Sequence, residues 1–259
     1  MTKIEWAEES WNPVTGCTKI SEGCQHCYAE RMAKRLKGRY GYPDDDPFRV
    51  TFHPDKLDQP LKWKKPKMIF VCSMGDLFHP GLLWSDNQKV WEIMAQCKNH
   101  TFMVLTKRPQ RMKIYLTEDL NYKLSLPLSN VWLGVTAENQ DRYDERWEIA
   151  KGIPAAKLII SMEPLLGPIE MRPWGRKPDG VFAGCESGPG RRSAKIQWFR
   201  DLKNQCVEAG IPFFLKQMAT EPPPVPGLVT GIPLWYERFE SKIVKMPELD
   251  GEIWDQRPE

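Results

Sequence analysis

The sequence has no apolar run near the roughly 18 residues that a membrane-spanning helix needs. Its opening decapeptide, MTKIEWAEES, also lacks the apolar stretch of a secretory signal. Both absences predict a protein with no membrane segment, working in a reduced, cytoplasmic setting. Charge of one sign is scarce too: a net +3 over 259 residues is too little, by itself, to argue for nucleic acid. Only four histidines are present, which leaves few nitrogen ligands for a metal. The seven cysteines (Cys17, Cys24, Cys27, Cys72, Cys97, Cys185 and Cys206) are odd in number and unevenly spread, so they do not form a disulfide framework. Tryptophan, by contrast, is abundant. Most of its eleven copies are expected in a core or on amphipathic surfaces, with a minority free to stack on a ligand. The length suits one large domain or two small ones.

Short β-rich apolar runs recur, each ending in polar or small residues: MIFVCSMGD (68–76), TFMVLTKRP (101–109), VWLGVTAEN (131–139), KLIISMEPL (157–165), GVFAGCESG (180–188) and PFFLKQM (212–218). Near-continuous apolar strands require cover on both faces, as in a parallel sheet. Between them, 85–99 reads as a helix capped by Ser85 with Val90, Ile93, Met94 and Cys97 inward. Residues 138–152 form a second helix stopping at Lys and Gly, and 193–210 a third with Ile196, Phe199, Leu202 and Cys206 inward. Strand and helix alternate, so the expected fold is α/β: a full or partial (β/α) barrel, with a doubly wound open sheet as the competitor. The expected division is a barrel with its N-terminal loop over 1–220, then a Pro-rich linker, EPPPVPG (221–227), and a tail to residue 259 anchored by Trp235, Tyr236 and Trp254.

In a parallel barrel the site lies at the C-terminal ends of the strands. Those ends carry Ser73, Gly75 and Asp76; Thr106, Lys107 and Arg108; Thr136, Glu138 and Asn139; Ser161 and Glu163; Cys185, Glu186 and Ser187; and Lys216 and Gln217. Strands do end where polarity begins, but Lys107–Arg108 and the lone Lys216 follow fully apolar runs, which favours a shared functional rim.

Three cysteines fall within GCTKISEGCQHCYAE (16–30), spaced six and then two residues apart, on a loop leading into a helix near Tyr28. Three thiolates suit a [4Fe–4S] cluster whose fourth iron stays open. A structural zinc site would need a fourth ligand, which neither His26 nor the distant His53 supplies at a familiar spacing. A purely structural cluster and coincidental thiols are the other readings.

The cysteine loop followed by β/α repeats resembles the radical S-adenosylmethionine (SAM) superfamily. The usual signature has three residues between the first two cysteines rather than six, and an aromatic residue where His26 stands. WNPVTGCTKISEGCQHCYAERMAKR, FVCSMGDLFH, VLTKRPQRM, NVWLGVTAEN, ISMEPLLGPI, GCESGPGRR, IPFFLKQM and LDGEIWDQRP together resemble a phage-associated radical-SAM-like family, from about Trp11 to Pro258. This chain departs from the family's pattern in having Cys72 and Gly75 where Asn and Ser are more usual, and Cys185 in place of Gly.

The resemblance implies a cluster on Cys17, Cys24 and Cys27, SAM chelated to the open iron, and hydrogen abstraction by a 5′-deoxyadenosyl radical. It implies that Ser73 to Asp76 hold the SAM amino group, with Asp76 as acceptor and Gly75 allowing close approach. Thr136, Glu138, Asn139, Ser161 and Glu163 would meet ribose or adenine. It further implies a flavodoxin- or ferredoxin-like electron donor, a phage's host cytoplasm, and modification of a nucleobase in DNA. The most specific form is isomerisation of a glycyl-decorated thymidine during thymidine hypermodification. Lys107, Arg108, Arg191, Arg192 and Lys216 are then candidate carboxylate or phosphate clamps, with Glu186 and Gln217 beside them. A lesion lyase in the manner of spore photoproduct lyase, with Cys185 as hydrogen donor, is the alternative; a non-enzymatic cluster or zinc protein is the third. The glycine-rich turn at 184–193 offers N–H groups and guanidiniums to an anion. LKWKKPKM (61–68) suits a nucleic-acid backbone, with Trp63 free to stack.

Overall fold

The computed structural model describes residues 4–120, 124–172, 175–219 and 242–258. The Pro-rich stretch 221–227 and the expected anchors Trp235 and Tyr236 lie outside the described residues.

The chain enters through β1 (Glu9–Trp11) and a two-stranded ribbon of β2 (Val14–Thr15) with β3 (Thr51–Phe52). The cysteine loop and α1 (Tyr28–Arg35) lie between those two ribbon strands. Five strands follow in succession: β4 (Met68–Val71), β5 (Thr101–Thr106), β6 (Val131–Thr136), β7 (Lys157–Met162) and β8 (Gly180–Gly184). After them come β9 (Phe213–Ala219) and β10 (Ile243–Lys245). Helices α2 (Trp84–Gln96), α3 (Pro109–Ile114), α4 (Gln140–Ala150) and α5 (Ile196–Ala209) fill all but one of the crossovers from β4 to β9. The last described strands, β11 (Glu248–Leu249) and β12 (Glu252–Ile253), form a small hairpin.

The sheet order is β1-β4-β5-β6-β7-β8-β9-β10, with every pair parallel except β9 with β10. From β4 to β9, spatial order equals chain order and never reverses. A doubly wound sheet must reverse at a switch point; right-handed crossovers without a reversal put every helix on one face and curl the sheet. The fold is therefore an α/β half-barrel, and the doubly wound alternative is set aside.

Side-chain alternation divides the sheet cleanly. Ile69, Val71, Phe102, Val104, Leu133, Val135, Leu158, Ile160, Val181 and Ala183 face the helices, in one large core with Trp91, Met94, Trp147, Phe199 and Leu202. Met103, Trp132, Ile159, Phe182 and Phe214 point the other way, into a smaller core closed by Trp6 and Ala7. Trp6 stacks on Phe182 with ring centroids 5.8 Å apart and tilts against Phe70 at 4.7 Å. The N-terminal half of the half-barrel's interior is thus plugged with aromatic rings.

Two local expectations meet different outcomes. Helix α2 starts one residue early, at Trp84, with Leu83 at its N-cap and no side-chain cap, so Ser85 does not cap it. Helix α5 ends at Gly210, as the sequence suggests, in the left-handed conformation at φ +65°. Strands β1 and β10 carried too short an apolar signal to be predicted. In the tail, Trp254 packs edge-on against Phe213 at 6.2 Å, and its carbonyl accepts from the Leu215 N–H. No helix among the described residues is long and apolar enough to cross a membrane.

Candidate active site

The cysteine loop arches over the C-terminal ends of the strands, and almost every contact that holds it comes from a strand end or from the helix that follows. Gly16 begins it. The Gly16 N–H donates to the Met74 carbonyl at 2.9 Å, and its φ of +83° packs it so tightly on Arg49 that a Cβ would collide with that residue's carbonyl oxygen. From the end of β5, the Arg108 guanidinium donates to Cys17 Sγ at 3.3 Å and to the Thr18 carbonyl at 3.0 Å. Asp76 orients that guanidinium at 2.8 Å while also accepting from Thr106 Oγ1 at 2.8 Å and the Phe78 N–H at 2.9 Å. His79 Nε2 meets Thr18 Oγ1 at 2.9 Å.

The middle of the loop rests on β6 and α4. Glu138, fully buried, accepts from the Gly23 N–H at 3.2 Å, and a side chain at Gly23 would run into its carboxylate. Arg146, also buried, holds Glu138 at 2.9 Å and the Thr136 carbonyl at 2.6 Å. Burial alone would raise the Glu138 carboxyl, but Lys107, Arg146 and the hydrogen bonds from the loop bring it below the ordinary range. One turn earlier on α4, Arg142 forks onto the Glu22 carboxylate with two bonds of 3.1 Å.

The far side of the loop is clamped by the turn after β8. Glu186 accepts from the Arg192 backbone N–H at 2.8 Å and side chain at 2.6 Å, and His26 Nδ1 lies 2.9 Å away. Arg192 reaches on to Gln25 Oε1 at 3.1 Å and the Glu22 carbonyl at 2.9 Å. Despite burial, these partners hold the Glu186 carboxyl down at about 2. At the loop's end the Tyr28 hydroxyl donates to the Ser73 carbonyl. Asn12 Oδ1 accepts from the Met74 N–H at 2.9 Å and from Ser73 Oγ at 3.2 Å.

The strand-end residues therefore fall into three groups. Ser73, Gly75, Asp76, Arg108, Glu138, Glu186 and Arg192 mount the loop; Gly75 does so by backbone pairing with Gly16. Asn139 caps α4, its Oδ1 accepting from the Arg142 N–H at 3.0 Å. The second group faces the interior, on the same side of each strand as the aromatic plug but nearer the loop: Lys107, Thr136, Ser161, Glu163 and Lys216. There Lys216 Nζ donates to Glu163 Oε2 at 2.6 Å, while the buried Glu163 Oε1 has no hydrogen-bond partner among the described residues. The third group belongs to the helix side. Cys185 is 3% exposed in the large core, with burial pushing its thiol up to about 11. Gln217 is not in that group: a bulge in β9 pairs it with Gly184 on the interior side, beside Glu163, and its Nε2 donates to the Cys185 carbonyl at 2.8 Å. Arg191 lies on the turn itself, donating to the Gly188 carbonyl at 3.4 Å.

Sequence reasoning missed His79, Arg142 and Arg146. An arginine inside the apolar stripe of Tyr143, Trp147 and Ala150 was the available signal for Arg146. The basic stretch 61–68 leads into the first residue of β4, so it sits at the opposite end of the sheet from the loop. Trp63 is not free to stack there: it packs edge-on against His100 at 6.1 Å, with Lys67 over its face at 5.6 Å.

Among the described residues no three His, Cys, Asp or Glu side chains are grouped tightly enough for a single metal ion. A structural zinc site is closed by a fourth protein ligand, whereas a [4Fe–4S] cluster can be held by three thiolates with one iron left open. The donor set fits the cluster. Cys17, Cys24 and Cys27 are free and half-buried, and donors approach two of the sulfurs: Arg108 on Cys17 and Ser21 Oγ, 3.7 Å from Cys24. Burial disfavours the Cys24 thiolate, yet the Ile20 and Ser21 hydrogen bonds and the Lys107 charge lower its pKa overall. Burial, with the Asp76 charge, raises the Cys17 thiol against the pull of Arg108.

No curated protein matches the sequence significantly. Among solved structures, the chain is similar to a cysteine-to-serine mutant of spore photoproduct lyase, with TM-score 0.49 and 11% identity over 83% of this chain and 79% of that one. A spore photoproduct lyase complexed with dinucleoside spore photoproduct gives TM-score 0.48 and 11% identity, covering 78% and 74%. A double mutant of that enzyme with bound AdoMet and the same dinucleoside gives 0.46 and 12%, covering 76% and 60%. A family model matches residues 1–258, and the chain belongs to the family described as Protein of unknown function (DUF5131).

Proposed function

We propose that this protein is a radical SAM enzyme that modifies a nucleobase in DNA. In its most specific form it isomerises a glycyl-decorated thymidine, drawing electrons from a flavodoxin- or ferredoxin-like donor. One observation carries the reading: a loop with three half-buried cysteines is pinned across the mouth of a half-barrel whose nearest interior layer is polar. Cys17, Cys24 and Cys27 would hold a [4Fe–4S] cluster. With SAM bound, that pair supplies a carbon-centred radical able to remove a hydrogen atom from the substrate.

The chain's own residues do the positioning. Arg108, Glu138 and Glu186 fix the loop from three different strands, so the sulfurs are held before any ligand arrives. Thr136, Ser161 and Glu163 present hydroxyl and carboxylate groups to whatever enters beneath the loop. Lys216, tied to Glu163, presents N–H groups to an anionic group such as a carboxylate. Below them the Trp6, Phe70 and Phe182 plug seals the interior from water on the other side. The helix-side burial of Cys185 places its thiol away from that interior, which favours the isomerase over a lyase that relies on this cysteine.

The test is anaerobic reconstitution with iron and sulfide, followed by SAM and a strong reductant, with 5′-deoxyadenosine as the readout. The reading expects about four irons per chain and cleavage that disappears in Cys24→Ala. Stoichiometric zinc without iron, or a protein that takes up no cluster, would overturn it. Glycine-modified thymidine DNA is then the substrate to offer, with product analysis deciding between rearrangement and cleavage.

A further inference from the structure

Helix α1 begins at Tyr28, immediately after the last loop cysteine, and so starts at the mouth of the half-barrel. Its buried side is small: Ala29 and Ala33 face the protein. At 100° per residue, Tyr28, Arg31, Met32 and Arg35 share an arc of about 100° turned away from those alanines; it borders the mouth, where the Tyr28 hydroxyl reaches the Ser73 carbonyl. Tyr28 and Met32 are 44% and 41% exposed, unusual for large apolar side chains one turn apart.

The charges sort themselves along the same division. On the flank, Glu30 takes Lys19 at 3.0 Å and Lys34 at 2.8 Å, and further on Asp45 takes Arg49 at 2.6 Å. Arg31 and Arg35, on the outward arc, meet no carboxylate among the described residues. The Arg31 guanidinium instead lies against Gly188, in the turn that clamps the loop. Arg39 lies beyond the helix end, after Gly38 in the left-handed conformation, and its guanidinium donates back to the Arg35 carbonyl. The arc thus carries two guanidiniums one turn apart, interleaved with an aromatic and a thioether face, and it starts at the mouth.

Resting on the nucleic-acid reading above, we infer that this face of α1 is the docking surface for a single-stranded polynucleotide. Arg31 and Arg35 neutralise neighbouring phosphates, and the exposed Tyr28 and Met32 faces support an unstacked base beside the mouth. Guanidiniums without acid partners complement a phosphate chain, and base stacking on exposed rings is the usual companion of such a track. A base must leave its stack to reach an enclosed site, which is why the strand is single at this point.

The experiment is fluorescence anisotropy on the full-length, cluster-reconstituted protein, using a labelled single-stranded DNA of about 20 nucleotides and the RNA of the same sequence across a salt series. The compared proteins are the parent, Arg31→Gln/Arg35→Gln, and a control with equal charge loss at the other end of the sheet, Lys62→Gln/Lys65→Gln. Losing two phosphate contacts should weaken binding about twentyfold at about 0.1 M salt and flatten the logarithmic salt slope by about 1.4. The control should bind like the parent. A parent that binds neither strand, or a control that loses as much as the arginine variant, overturns the inference. The DNA and RNA arms then say which sugar is preferred. Formation of 5′-deoxyadenosine without substrate is measured on the same samples, so failure of the docking surface and failure of the enzyme reading show up as separate results.

Discussion

The two halves of the half-barrel's interior are built from the same strands and the same side-chain alternation, yet they have opposite chemistry. Toward the N-terminal ends of the strands, Met103, Trp132, Ile159, Phe182 and Phe214 close around Trp6 as a dry core. Two to four residues further along those strands, the same face carries Lys107, Thr136, Ser161, Glu163 and Lys216, under a loop held by charged groups. The lower half stores stability and the upper half gives some away. Buried carboxylates and guanidiniums there are tolerated because each is paired, and pairing is what fixes the loop.

The sharpest way to break that comparison is Arg146→Met. It leaves Glu138 fully buried without its partner, so the expected cost is about 3–5 kcal/mol, read as a shift in the urea midpoint. Iron retention per folded chain should fall with it, because the Gly23 contact loosens. Trp6→Ala attacks the lower half instead. It should cost about 3 kcal/mol through lost stacking and burial, while iron content per folded chain stays at the parent level. A drop in iron equal to that of Arg146→Met would erase the distinction between the halves.

His53 sharpens the comparison through pH. It is buried beneath the start of the loop, 2.7 Å from Thr15 Oγ1, and burial first, then the Lys56 charge, push its pKa down to about 4. The folded protein therefore favours the neutral ring. The stability this contributes is fully present above the unfolded pKa of about 6.5 and is lost as pH falls through about 4, at most about 3 kcal/mol. Urea midpoints measured across that window should fall more steeply for the parent than for His53→Gln.

Smaller stability effects are expected inside the upper layer. Glu163→Gln keeps the shape and removes the charge facing Lys216, so stability should change by about 1 kcal/mol or less while turnover of a substrate-coupled reaction falls. Least of all, Cys185→Ala should leave both 5′-deoxyadenosine formation and product identity unchanged. A loss of product with that variant would bring the lyase back.

Much of this was legible in the residues. Six continuous apolar runs marked β4 to β9 because a strand covered on both faces has no polar positions to spare, and the cysteine spacing marked the loop. The roles of the strand-end residues were harder to read. Asp76 and Glu138 look like ligand acceptors in a linear sequence, and only the return of the loop over the rim shows that their lone pairs are taken by Arg108, Thr106, Gly23 and Arg146. Residues so far apart in the chain leave no periodic trace. Trp63 was misread for a similar reason: its partner His100 lies 37 positions away, and no local pattern announces the contact.

The six-residue gap between Cys17 and Cys24 now acquires a purpose. Thr18 takes Arg108 and His79, Ser21 touches Cys24, Glu22 takes Arg142, and Gly23 sits on Glu138. Most of the additional residues are footings: Thr18, Glu22 and Gly23 land on groups that follow β4 and β5, on α4 and at the end of β6, while Ser21 braces Cys24 within the loop. Trimming the gap to three residues would therefore remove the attachment points along with the excess length, and the shortened loop would have fewer places to rest.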